Sequence, residues 1–328
     1  MSSRTSNFPH GFANGITIRG MPLSVSHPGE VFFVNNSGVL PTGGIGGSDG
    51  NKGTYHEPWS TLEGAVNNGK VKASRGDVIF AMPGHAETIS TATALNMDKA
   101  GVAWIGLGTG ALRPTLTFDT ATSAAISWTA DYCSIQNFNL TGNFLSVAAA
   151  ILNSGGAGMT VENCRFADTS AILGLLSCVT TTVDTNSDDF WFADNVRYSA
   201  ATTTPGAALK ILNTTRGVTV KRNKFWMAVA ENNAAVILDH GALVLDEVLL
   251  EDNAVYSINT AQTTDGFLVK TSATTGSGIL RNNLVRSQDP SAAIMVTAAA
   301  VQYGSFENYH TGEVTQLSGF LLPAAGAD

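Results

Sequence analysis

The sequence predicts an all-β protein built as a single-stranded parallel β-helix, a solenoid entered through an extended N-terminal arm and a short capping helix. Three observations carry this expectation. The first is a phrase repeated along residues 137 to 308: an apolar strand ends two or three residues before an asparagine, and apolar residues resume just after it. Its asparagines are Asn137, Asn163, Asn195, Asn223, Asn253, Asn283 and Asn308, at intervals of 26, 32, 28, 30, 30 and 25 residues. Self-similarity at such a period marks a solenoid. The second is that each unit is too long for a β-hairpin and holds no apolar stretch of helical period, so it must be several short strands joined by corners. In stacked coils equivalent residues lie about 4.8 Å apart, close enough for identical amides to hydrogen-bond up the stack. Asparagine also accepts the left-handed backbone of a tight corner.

The third observation is charge. Immediately before the asparagine come Asp194, Arg222 and Asp252 in successive units, and one place earlier come Lys221, Glu251 and Arg281. Stacking sets opposite charges above one another, worth about 0.2 to 1 kcal/mol per exposed pair, enough to tune register. Two consecutive polar positions also end the inside-outside alternation, which places the motif at a corner.

Composition agrees. Only 13% of the 328 residues are charged, and a narrow core filled from many short strands needs small and β-branched residues more than long charged ones. A net charge of -8 gives no footprint for nucleic acid. Cys133, Cys164 and Cys178 follow neither a zinc spacing nor an even disulfide framework and read as buried thiols. No apolar run reaches the 18 or so residues needed to cross a bilayer, and no signal-peptide core follows Met1-Ser2-Ser3-Arg4, so synthesis and folding in a cytoplasm are expected.

In chain order, residues 1–57 read as the arm, rich in Gly, Pro, Asn and Ser with apolar islands at Ile16–Ile18 and Val31–Val34. Residues 58–310 read as the β-helix. Ser60 as N-cap with Glu63 three residues on forms a capping box, followed by Leu62, Ala65 and Val66 at helical spacing and stopped by Asn67-Asn68-Gly69. Such a helix covers the open end of the first coil. Strands follow at Val78–Met82 and Val102–Ile105, closed by Pro83-Gly84 and Gly106-Leu107-Gly108. Residues 311–328 form a tail whose apolar Leu317–Pro323 segment either caps the last coil or packs on a neighbouring subunit.

The capping helix, Gly76-Asp77-Val78-Ile79-Phe80 with Pro83-Gly84, Trp104-Ile105-Gly106-Leu107-Gly108 and Arg113-Pro114-Thr115-Leu116 together resemble the start of pectate-lyase-like right-handed β-helix proteins, over roughly residues 58–310. That superfamily includes polysaccharide lyases, hydrolases, phage tailspikes and inert virion proteins, so the resemblance implies the fold and leaves the activity open. The arm carries a second resemblance. Asn7-Phe8-Pro9-His10-Gly11-Phe12, Gly15-Ile16-Thr17-Ile18-Arg19-Gly20 and Val31-Phe32-Phe33-Val34-Asn35 are similar to the start of β-helical structural proteins of tailed bacteriophages. This implies a non-enzymatic virion protein, a capsid decoration or particle appendage, gripping other virion proteins through the arm and self-associated, as a trimer for example. Phe8, Pro9, Phe12, Ile16, Ile18 and Met21 are then the residues expected to insert into a partner, with Arg19 pairing an acidic group. The alternative is a tailspike-like protein that degrades or binds a host glycan.

A polysaccharide-cleaving β-helix needs paired carboxylates, or a calcium-bound uronate with a basic residue, projecting into one groove. Asp188 and Asp189 are sequence neighbours and point to opposite faces, while Asp194 belongs to the corner. Asp239-His240, Asp246-Glu247, Glu251 and Asp252 could form an acid-base or metal site, but a hydrated loop and the stacked charges account for them. His85 and Glu87 read as an exposed hydrogen-bonded pair, and His56-Glu57 lacks a second metal-binding half. Gly46–Gly50 matches a nucleophile elbow by letters without its strand-turn-helix setting. Asp49-Gly50-Asn51 reads as a tight turn rather than a calcium loop, and Gly106–Gly110 has no P-loop lysine. No catalytic residue, metal or cofactor is therefore assigned. Of Trp191, Tyr198, Phe225, Trp226 and Tyr256, which fall at corresponding places, Phe225 points inward and Trp226 outward, toward a subunit or a glycan.

Overall fold

The computed structural model describes residues 16–18, 21–23, 29–182, 187–200, 206–227, 236–242, 244–257, 268–271, 273, 275–287, 296–298, 302–311 and 320–321. The chain is a right-handed parallel β-helix whose coils each contribute one strand to three sheets. The first sheet runs in order from Val31–Val34 through Val78–Ala81 and Ala103–Gly106 to Gln302–Phe306, the second from Ala86–Ile89 to Tyr309–Thr311, and the third from Leu95–Met97 to Val296–Ala298. Neighbouring coils pair in parallel register without slippage, as at Val196↔Lys224↔Ala254↔Leu284.

The period-2 pattern holds each strand in place. Along Lys224–Met227, Lys224 and Trp226 face out while Phe225 and Met227 are buried, and a one-residue slip would exchange the two sets. Stacked coils thereby align Leu116, Leu140, Phe166, Phe225, Val255 and Val285 inside the second sheet, and Ile135, Val161, Phe192, Val220, Leu250 and Leu280 inside the first. Arg197 breaks the pattern. It occupies an inward position between Phe166 and Phe225 and is 3% exposed, its guanidinium donating to the carbonyls of Gly206 and Leu176 at 2.8 Å each. These bonds let a buried cation sit at the wall of an apolar core.

The helix over Leu62–Asn67 packs Leu62, Ala65 and Val66 into the first coil. Its N-cap is Thr61, not Ser60: Thr61 Oγ1 accepts from Gly64 N at 2.8 Å, and Glu63 turns away from the capping box to accept from Asn96 N and Asn67 Nδ2. Asp49 supports the cap from the preceding loop, its Oδ1 taking the amides of Ser60 and Thr61 at 2.9 Å each.

The β-helix starts earlier than residue 58. Val31–Val34 pairs in parallel with Val78–Ala81 as the first strand of the first sheet, and Trp59 N–H donates back to Phe33 O. The outward side chains Val31, Phe33, Val78, Phe80, Ala103, Ile105 and Leu107 form a second apolar cluster on that sheet. Ile16–Ile18 and Met21–Leu23 form an antiparallel hairpin, while Phe8, Pro9, Phe12 and Arg19 lie outside the described residues. At the other end, Phe320–Leu321 adds antiparallel to Tyr309–His310 on the edge of the second sheet.

Candidate functional site

The corner between the first and second sheets carries the repeated asparagines. Asn195, Asn223, Asn253, Asn283 and Asn308 are buried and form a continuous ladder. Each Oδ1 accepts the backbone N–H one coil earlier, at 2.8 Å for Asn195 N to Asn223, 3.0 Å for Asn223 N to Asn253, 3.1 Å for Asn253 N to Asn283 and 3.0 Å for Asn283 N to Asn308. From Asn223 onward each Nδ2 also donates to the next Oδ1 until the ladder ends at Asn308.

Asn137 and Asn163 are not rungs of this ladder. Strand register places Phe138 and Cys164 in the column of Asn195, and Cys164 N donates to Asn195 Oδ1 at 2.8 Å. Asn137 and Asn163 sit one residue earlier with φ of 61° and 51°, at the left-handed position that Asp194, Arg222, Asp252, Asn282 and Glu307 fill in later coils. One residue type meets two different demands there, a left-handed backbone and an amide that bonds along the stack, so the letter alone hides the one-place shift. A second left-handed column runs through Gly76, Gly101, Tyr132, Gly158, Asp189, Gly217 and Glu247, the first six each two residues before a strand of the first sheet and Glu247 immediately before one. Its four glycines were the available signal, since glycine takes positive φ freely.

Charges beside the ladder pair vertically. Arg222 Nε donates to Asp194 Oδ1 at 2.7 Å, and Glu251 lies between Lys221 and Arg281, bonded to both. The Lys221 hydrogen bond holds the Glu251 carboxyl below its ordinary value against the opposing effect of burial. Burial, with Asp194 nearby, raises that of Glu162.

The other candidates separate in space. Asp188 Oδ1 accepts from Arg216 N at 2.8 Å, while Asp189 takes the left-handed corner with φ of 56°. Asp246 is held below its usual range chiefly by the Ser277 hydroxyl. Asp239 faces outward on the third sheet, but His240 is buried, bonded to Thr271 Oγ1 and Asn213 O at 3.1 Å each. His85 and Glu87 do pair, at 2.6 Å, yet the histidine is fully buried rather than exposed. Its Nδ1 accepts from Asn36 N, so Nε2 carries the proton toward Glu87, whose Oε1 also takes the Leu62 amide at the start of the capping helix. The three cysteines are buried thiols, raised by desolvation to about 11 for Cys133 and about 12 for Cys164 and Cys178. Among the described residues, no three His, Cys, Asp or Glu side chains group to hold a metal ion, and no helix is long and apolar enough to cross a membrane.

Two surface features remain. A cavity of about 310 Å³ beside the first coil is lined by Phe33, Val39, Leu40, Pro41, Tyr55, Met82, Pro83 and Leu107. On the second sheet Tyr198, Trp226 and Tyr256 share one outward column. Trp226 is 43% exposed and stacks on Tyr256 with ring centroids 4.7 Å apart and planes inclined by 18°.

No protein-family model matches the sequence, and no curated protein does. Among solved structures the chain is similar to the pectin methylesterase from Aspergillus niger, with a TM-score of 0.53 at 14% identity over 89% of each chain in its deglycosylated form and the same score at 15% identity with an N-acetylglucosamine stub. A rhamnogalacturonan lyase aligns over 87% of this chain and 74% of its own, at 12% identity and a TM-score of 0.48. At these identities the likeness is one of fold, the right-handed parallel β-helix.

Proposed function

We propose that this protein is a non-enzymatic structural component of a bacteriophage virion, a rigid β-helical rod mounted on the particle through its N-terminal residues and self-associated there. The observation that carries the reading is the use made of its carboxylates. Five of the carboxylates that a glycan-cleaving groove could draw on are committed to ties between coils or caps: Asp194 to Arg222, Glu251 to Lys221 and Arg281, Asp188 to the Arg216 amide, Asp246 to Ser277, and Glu87 to His85 and the capping helix. Such fasteners suit a rod whose backbone groups pair from layer to layer and which resists local opening. The virion setting is supported by the likeness of Asn7–Phe12, Gly15–Gly20 and Val31–Asn35 to the openings of phage β-helical proteins.

The reading is tested by incubating the purified protein with host capsule or lipopolysaccharide and assaying new reducing or unsaturated ends. None are expected. Their appearance, abolished by a single carboxylate substitution, would establish the polysaccharide-degrading alternative instead.

A further inference from the structure

We propose that the outward face of the second sheet binds an acidic glycan laid along the helix axis. From Ala86–Ile89 to Leu284–Ser287, the outward positions of this sheet hold no Asp or Glu, although acidic residues outnumber basic ones 26 to 18 in the chain. Three exposed cations stand on it, Arg165, Lys224 and Arg286. None makes an ion pair among the described residues, unlike Lys221, Arg222 and Arg281 at the adjacent corner.

The register sets Arg165 and Lys224 in one outward column, two coils apart, and Tyr198, Trp226, Tyr256 and Arg286 in the next. At about 4.8 Å per coil, cations recur every 9.6 Å or so along the axis. Between them stand aromatic side chains that each bring a phenol O–H or an indole N–H. The Trp226–Tyr256 stack turns one indole face onto its neighbour, so donors and ring edges, more than open ring faces, meet a ligand.

A surface rich in donors and free of carboxylates fits a polymer rich in acceptors, with hydroxyls throughout and negative charges at intervals. An acidic polysaccharide has that chemistry. Nucleic acid, with a phosphate at every nucleotide, would meet the repulsion of a chain of net charge -8 outside these three cations. The site lies apart from the carboxylate ties above and does not depend on how the rod is mounted.

The test is biolayer interferometry of the full chain on immobilised hyaluronan, dextran, polyglutamate and duplex DNA at low and physiological salt. Saturable binding to hyaluronan and none to dextran is expected. Lys224→Ala with Arg286→Ala should weaken hyaluronan binding at least tenfold and flatten its salt dependence, and Lys224→Arg should retain it. Trp226→Phe, which keeps an aromatic ring and removes the N–H, should weaken binding about threefold with an unchanged salt slope. Melting temperatures of the variants separate folding from binding. The proposal is overturned if hyaluronan is not retained, if polyglutamate or DNA binds as tightly, or if the substitutions alter only the sedimentation coefficient, which would make the face a contact between copies.

Discussion

Asn253 meets several hydrogen-bonding demands in one buried corner. Its Oδ1 accepts from Asn223 N and Nδ2, and its Nδ2 donates to Val220 O and Asn283 Oδ1. Truncation to alanine orphans a buried amide above and an acceptor below, so Asn253→Ala should cost about 1 to 3 kcal/mol. Asn163 has a different job. Its side chain makes one bond, to Asn137 Oδ1 at 3.2 Å, and its φ of 51° is one that glycine adopts freely, so Asn163→Gly should change stability by less than about 1 kcal/mol. Urea melts of the two variants check the contrast, and equal losses would dissolve the distinction between ladder and corner. His240 gives the pH dependence. Burial lowers its pKa below the ordinary 6.5, so below that pH the unfolded chain takes up a proton that the folded imidazole resists. Its contribution is therefore full above pH 6.5 and declines as pH falls toward the folded value. Wild-type stability should drop between pH 7.5 and 5.5, and His240→Gln should lessen that drop; an identical pH slope in the variant would remove His240 as a source.

The capping helix, only Leu62–Asn67, is too short to persist by itself and is held by its first turn and its buried face. Asp49, from the preceding loop, takes the amide and hydroxyl of the N-cap Thr61 and the amide of Ser60 before it. Asp49→Ala should therefore cost about 1 kcal/mol, in the range of a lost N-cap, seen as faster amide exchange over residues 60–67 while the later coils stay protected. Uniform exchange along the chain would place the cap in the same cooperative unit as the coils. Such ties explain what was legible beforehand. The helix was readable from Leu62, Ala65 and Val66, but its cap partner lies 11 and 12 residues back, beyond any local motif. The coil spacing was readable because Asn195 to Asn308 repeat one residue type at one place. The shift at Asn137 and Asn163 was not, since φ leaves no mark on a residue that suits both roles. Arg197 inside the second sheet was equally hidden, because the carbonyls that receive it come from the loop after its strand and from the preceding coil. The outward cationic face needed the register itself: Arg165, Lys224 and Arg286 are far apart in sequence, and only stacking makes them neighbours.

Taken as one body, the rod has two ends to close, and its N-terminal closure decides where an attachment segment can begin. Val31–Val34 is the outermost strand of the first sheet, and its Val31 and Phe33 pack on the cluster of Val78, Phe80, Ile105 and Leu107. Removing residues 2–28 takes away the paired strands Ile16–Ile18 and Met21–Leu23 and keeps Val31–Val34 on Val78–Ala81. Removing residues 2–50 strips the first strand and Asp49, baring Val78 and Phe80, now 4% and 1% exposed, at about 1.5 to 3 kcal/mol for each large apolar side chain uncovered. The shorter deletion should therefore melt within a few degrees of the full chain and still fail to join particles lacking the protein. The longer one should melt at least 5 °C lower, since several kcal/mol act on a domain of this size. Full occupancy of particles by the 2–28 deletion would move attachment off the N-terminal residues and onto the coils, where the apolar cavity beside Phe33 and Tyr55 is the first surface to substitute.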